Sequence, residues 1–149
     1  MVNREARDRA ATALRRFLVC ETTNKEFDRE FTEISATWKR KKDRAITAVY
    51  GFAWNLYDDF EEHKLDGIWE PEDVVRQMAE RCVRFLQTDL EYEWRRAEFI
   101  GLDWRRIFSK FLHWIKWEAD PRRRFGQFMA ESAGDVSVWP FYRRDDYEG

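Results

Sequence analysis

The run Asp58-Asp59-Phe60-Glu61-Glu62-His63 is the densest set of groups in this chain that could do chemistry. Read as a helix end, it sets Asp58 with Glu62 and Asp59 with His63, each pair one turn apart. Carboxylate oxygens beside an imidazole nitrogen suit a hard or borderline divalent cation, so Asp58, Asp59, Glu62 and His63 are candidate metal ligands. Asp89, Glu91 and Glu93 could bring further oxygens from another helix. A di-iron bundle would want glutamate three places before each of two histidines. Those places hold Phe60 (before His63) and Lys110 (before His113), which counts against a di-iron centre. A solvated acidic helix end is the plainer reading. Over residues 56 to 73 eight acids stand against one lysine, a local balance of −7.

A second constellation is basic and aromatic. Trp38 is followed by Lys39, Arg40, Lys41 and Lys42, and residues 95 to 124 carry nine basic against four acidic side chains. Arg105, Arg106, Arg122, Arg123 and Arg124 lie there among Trp104, Trp114 and Trp117. Arginine interleaved with open rings can hold single-stranded nucleic acid by charge and stacking. The same residues would equally form i, i+4 ion pairs and cover indole edges with arginine stems. The net charge of −2 and the pI near 5.8 lack the basic footprint of a nucleic-acid binder.

Protein recognition is the third possibility. An acidic stretch at 56 to 73 and a basic one at 95 to 124 polarise the chain, and such polarity steers association. Tryptophan and arginine are enriched where binding energy concentrates. Trp69, Trp114 and Trp117 are the tryptophans least explained by one helical stripe, and with Arg105 and Arg106 they are the candidate partner contacts. Half-buried core is the competing role for each ring.

Other chemistries lack their parts. There is no Gly-x-Ser-x-Gly elbow, no Gly-x-Gly-x-x-Gly turn and no phosphate-cradling Gly-x4-Gly-Lys-Ser/Thr loop. Cys20 and Cys82 have no histidine near them in sequence and sit on apolar stripes, as buried reduced thiols do. No catalytic residue and no cofactor are implied.

Helices must position these groups. Glycine (6) and proline (3) are scarce, while charged residues reach 38% and aromatics 17%. Asn3 can cap a first helix carrying Ala6, Ala10, Ala13, Leu14, Phe17 and Leu18. Thr23-Asn24-Lys25-Glu26 is a capping box, opening a short helix with Phe27 and Phe31 that ends near Ser35. Ala45 to Phe60 is the strongest apolar segment, with a face wide enough for neighbours on several sides. His63 to Glu70 is a connection from which Leu65 and Trp69 fold back. Pro71, Glu72 and Asp73 suit a helix start, and that helix could run on through Trp94. Asp103 and Asp120-Pro121 open two more, the last closing at Gly134. Val136 to Tyr142 is apolar and expected to lie extended over the bundle, with 143–149 a loose tail.

The segments Thr23-Asn24-Lys25-Glu26-Phe27, Leu56-Tyr57-Asp58-Asp59, Asp89-Leu90-Glu91-Tyr92-Glu93-Trp94 and Trp139-Pro140-Phe141 resemble, as a set, a group of small uncharacterised bacterial proteins. The resemblance implies a bacterial origin and one intact domain, and it carries no catalytic residue.

The expectation is an all-α, single-domain bundle over 1–149: five to six helices, an aromatic-rich core and an extended C-terminal segment packed on it. The longest uncharged run, Ala45 to Tyr57, is too short for a bilayer, and the N-terminal residues lack an apolar leader. A cytoplasmic protein without membrane contact is expected. Its first-ranked role is non-enzymatic interaction with another protein, immunity-like or regulatory, or with a second copy in a homodimer. Single-stranded nucleic-acid binding through 95–124 ranks second, and a metal-dependent enzyme using residues 58–63 ranks third.

Overall fold

The computed structural model describes residues 2–37, 43–94 and 134–149. Among them are five α-helices and no strand: α1 (Arg4–Leu18), α2 (Asn24–Thr37), α3 (Arg44–Ala53), α4 (Asp73–Leu86) and α5 (Arg144–Glu148). None of the described helices is long and apolar enough to cross a membrane. The chain divides into two compact units, Met1–Glu91 and Tyr92–Gly149. The further helices expected from Asp103 and from Pro121 lie outside the described residues.

In the first unit α1 packs on α2, α3 and α4. Its inner face is Ala6, Ala10, Ala11, Ala13, Leu14, Phe17 and Leu18, all buried. The small alanines let the other helices approach closely, and the larger residues fill the far end. There a run of rings joins three helices. Phe17 stacks on Phe27 with centroids 4.7 Å apart, and Phe31 stacks on Tyr50 at 5.1 Å. Tyr57 meets Phe17 and Phe27 edge-on at 5.7 and 6.0 Å. Offset-stacked and edge-on pairs of this kind add about 0.5–1.5 kcal/mol each beyond the area they bury.

The helix starts follow their caps. Asn3 accepts from the Ala6 amide at 3.1 Å. In the capping box the Thr23 hydroxyl accepts from Glu26 N (3.3 Å), and the Glu26 carboxylate accepts from Thr23 N (2.9 Å). Asp43 caps α3 by accepting from Ala45 N at 3.0 Å.

The ends depart from the sequence expectation. α1 stops in a Schellman turn, with Glu21 N donating to Arg16 O (2.9 Å) and Cys20 in the left-handed region at φ 59°. α3 does not run on to Phe60. Asn55 Nδ2 donates to the carbonyls of Gly51 and Phe52 at 3.0 and 3.1 Å, and the chain leaves the helix. α4 stops at Leu86 rather than continuing to Trp94, because its last carbonyls find other donors. Thr88 Oγ1 donates to Phe85 O at 2.8 Å, and the Arg4 guanidinium donates to Leu86 O and Thr88 O.

One arginine organises the first unit from inside. Arg7 is 1% exposed and forms a two-pronged pair with Asp43, with Nε–Oδ2 2.7 Å and Nη2–Oδ1 3.1 Å. Its Nη1 donates to Thr88 O (3.0 Å) and Leu90 O (2.7 Å), and its carbon lies over the Phe85 ring. Asp43 also accepts from Asn3 N at 2.9 Å. The pair therefore joins the start of α1, the start of α3 and the strand of chain leaving α4.

The second unit is built around tryptophan. Trp94 is 2% exposed, and its indole N–H is shared by Pro140 O and Phe141 O at 3.0 and 3.2 Å. Trp139 is buried and donates to the Tyr92 hydroxyl at 3.1 Å. The Trp139–Pro140 peptide is cis, and Val136–Val138 form a short 3-10 turn. Residues 144–148, expected as loose tail, form α5 instead. Arg143 pairs with Glu93 through both guanidinium nitrogens (2.9 Å each), and Arg144 pairs with Asp135 at 3.3 Å, which anchors the start of that helix.

Candidate functional site

The residues between α3 and α4 form an acidic loop, and α2 holds it from below. Asn24, the first residue of α2, is 1% exposed. Its Nδ2 donates to Asp58 O (2.7 Å) and Glu61 O (2.8 Å), and its Oδ1 accepts from His63 N at 2.9 Å. The Asn24 amide donates to His63 O at 2.9 Å. Beside it, the Thr23 hydroxyl that caps α2 donates to Glu62 Oε1 at 2.8 Å. Inside the loop, Asp58 Oδ1 accepts from Phe60 N at 2.7 Å.

This geometry corrects the helical reading of 58–63. Those residues are not helical, so Asp58 with Glu62 and Asp59 with His63 are not stacked one turn apart. Asp58 caps its own loop and Glu62 is bound to Thr23. His63 is 8% exposed, with its Nδ1 against Glu61 O at 3.0 Å and its ring stacked on Trp69 at 4.1 Å. A carbonyl only accepts, so Nδ1 is the donor in this contact, and the ring's other nitrogen is Nε2. That nitrogen is buried and has no partner among the described residues. No group of three or more His, Cys, Asp or Glu among the described residues could hold a metal ion.

Trp69, taken from the sequence as a partner contact, is half-buried against His63. Four large apolar residues among the described ones are exposed: Val19 and Val74 by about half (58% and 52%), Phe60 and Ile68 almost fully. Phe60, placed by periodicity on a helix's apolar face, is 92% exposed, and Ile68 is 90% exposed. Ile68 rides on a 3-10 turn, Gly67–Trp69, whose Gly67 has φ 57°, a conformation that disfavours any side chain there. Leu65 turns inward and is buried, as expected.

Beside the loop lies a cleft of about 380 Å³, lined by one face of α2 and by Tyr57 and Asp59. Asp28 stands in its wall. Its Oδ1 accepts from the hydroxyls of Tyr50 (2.8 Å) and Tyr57 (3.1 Å). Burial pushes the Tyr57 phenol far above its ordinary range, and the nearby Asp28 charge adds to the rise. Burial also raises Tyr50. Both phenols therefore stay neutral donors. Asp28 has no cation paired with it among the described residues.

Asn24 and Asp28 were missed from the sequence. Asn24 was legible as part of a capping box, but its grip on residues 34 to 39 places away was not. The remaining sequence candidates, Trp38, Lys39, Arg40, Lys41, Lys42, Arg105, Arg106, Trp114, Trp117, Arg122, Arg123 and Arg124, lie outside the described residues. Both cysteines are free: Cys82 is fully buried, which raises its thiol pKa and leaves it inert, and Cys20 is partly exposed.

Compared with known proteins, the chain matches no family model, no curated protein and no solved structure. That accords with its resemblance to an uncharacterised group.

Proposed function

We propose that this protein is a non-enzymatic recognition protein whose acidic loop, residues 56–73, binds a basic protein surface. The observation that carries the reading is Phe60, 92% exposed on a loop that Asn24 holds in place. A single exposed apolar side chain is ordinary. Here two, Phe60 and Ile68, stand bare on one connection, each forgoing about 1.5–3 kcal/mol of burial. Local hydrogen bonds fix the backbone that presents Phe60, so little ordering remains to be done on association. Eight acids against one lysine surround these residues, and a basic partner would be steered to them.

The test compares the wild-type chain with the Phe60→Ala, Ile68→Ala double variant as bait in extracts of the source cell, with masses and stoichiometry read from the eluate. One basic protein in stoichiometric amount with wild type, and at least tenfold less with the double variant, is expected. Equal recovery by both baits, or an eluate holding only nucleic acid, metal or a second copy of this chain, would overturn the reading.

A further inference from the structure

The cleft beside the loop shares Asp59 with it, and Asp59 directly precedes Phe60. From this continuity we infer that the cleft receives an arginine side chain from the partner, with Asp28 as the carboxylate that binds the guanidinium. The inference rests on the loop's proposed role and names the chemistry of its partner.

Three carboxylates line the cleft, Asp28, Glu33 and Asp59, with two cations, Lys25 and Arg29. The sign of the preferred ligand turns on which charges are fixed. Asp28 is half-buried, and two neutral phenols hold one of its oxygens. Its Oδ2 accepts no hydrogen bond among the described residues, and Asp28 lines the cleft, so a donor entering there finds this acceptor untaken. Lys25 and Arg29 are solvent-exposed and form no ion pair among the described residues. Their long stems can turn aside, and water screens them. A fixed, partly desolvated carboxylate outweighs two mobile, screened cations, and the neighbouring loop adds further negative potential. A guanidinium suits the place because its planar fork can meet Asp28 Oδ2 and a second carboxylate together.

The probe is an acetylated, amidated hexa-arginine peptide titrated into the full chain by calorimetry at low and moderate salt. Asp28→Asn leaves an amide oxygen to accept from both tyrosines, so the fold persists, which an unchanged thermal midpoint verifies. Binding should weaken about tenfold in Asp28→Asn and by less than twofold in Asp66→Asn, which removes a loop acid outside the cleft. Lys25→Ala with Arg29→Ala should tighten binding. If Asp28→Asn binds like wild type, or like Asp66→Asn, the cleft is not the arginine site. If the Lys25, Arg29 variant binds more weakly, the cleft prefers anions and the inference is overturned. Loss of the partner in the Phe60, Ile68 variant alongside unchanged Asp28→Asn binding would sink the cleft and leave the loop standing.

Discussion

Asp28, Tyr50 and Tyr57 show how much one residue's surroundings decide. A carboxylate on an exposed helix face would be one more solvated charge. Two half-buried phenols make it a fixed acceptor. The same contact sets a pH limit. Both phenols have folded pKa values raised above the unfolded value of about 10, chiefly by burial. Above that pH the folded chain binds more protons than the unfolded one. Their stabilising effect is thus fully present below about pH 10 and is lost as pH rises through the folded values. Urea midpoints measured from pH 7 to 11 should stay level and then fall, and Tyr57→Phe should flatten the fall. Equal alkaline slopes for the two proteins would contradict this account.

Among the elements, α1 and α3 are held at their starts by a charge pair that neither apolar pattern reveals. Arg7 lies at a helical position between Ala6 and Ala10, and Asp43 immediately precedes α3. Asp43 was not picked out from the sequence as the cap of α3, and its partner 36 residues away was no more legible. With both ions almost fully buried, removing one leaves the other uncompensated, at a cost of about 3–5 kcal/mol. Arg7→Met should lower unfolding stability by that amount in urea denaturation, and a loss below about 1 kcal/mol would show that the pair is dispensable. Helix starts were readable because caps are local: Asn3, and Thr23 with Glu26, act within three residues. Helix ends were not. The stops after Ala53 and Leu86 depend on Asn55, Thr88 and a distant Arg4, while the apolar spacing itself continues past both.

For the whole molecule, composition was informative about class and silent about placement. Few glycines and prolines with many rings and charges pointed to helices, and the described residues hold no strand. The density of acids at 56–73 was also plain in the sequence. That these residues form a loop, that Phe60 faces outward and that Asn24 grips the backbone all depend on contacts across long sequence separations. In the second unit Trp94 and Trp139 carry the apolar interior with Phe141. A Cβ at Gly134 would fall 2.7 Å from the Trp94 ring and 2.9 Å from Tyr142, so the chain must come this close without a side chain. Trp139→Ala should cost about 3–5 kcal/mol and lower the thermal midpoint. An unchanged midpoint would mean that this indole contributes no packing.

Asn24 belongs at once to a helix and to the loop it grips. A load applied at Phe60 would pass through that amide into the first turn of α2, and from Phe27 into the stack with Phe17. Lifting the loop away must break four hydrogen bonds at Asn24, two of them from its one side-chain amide nitrogen.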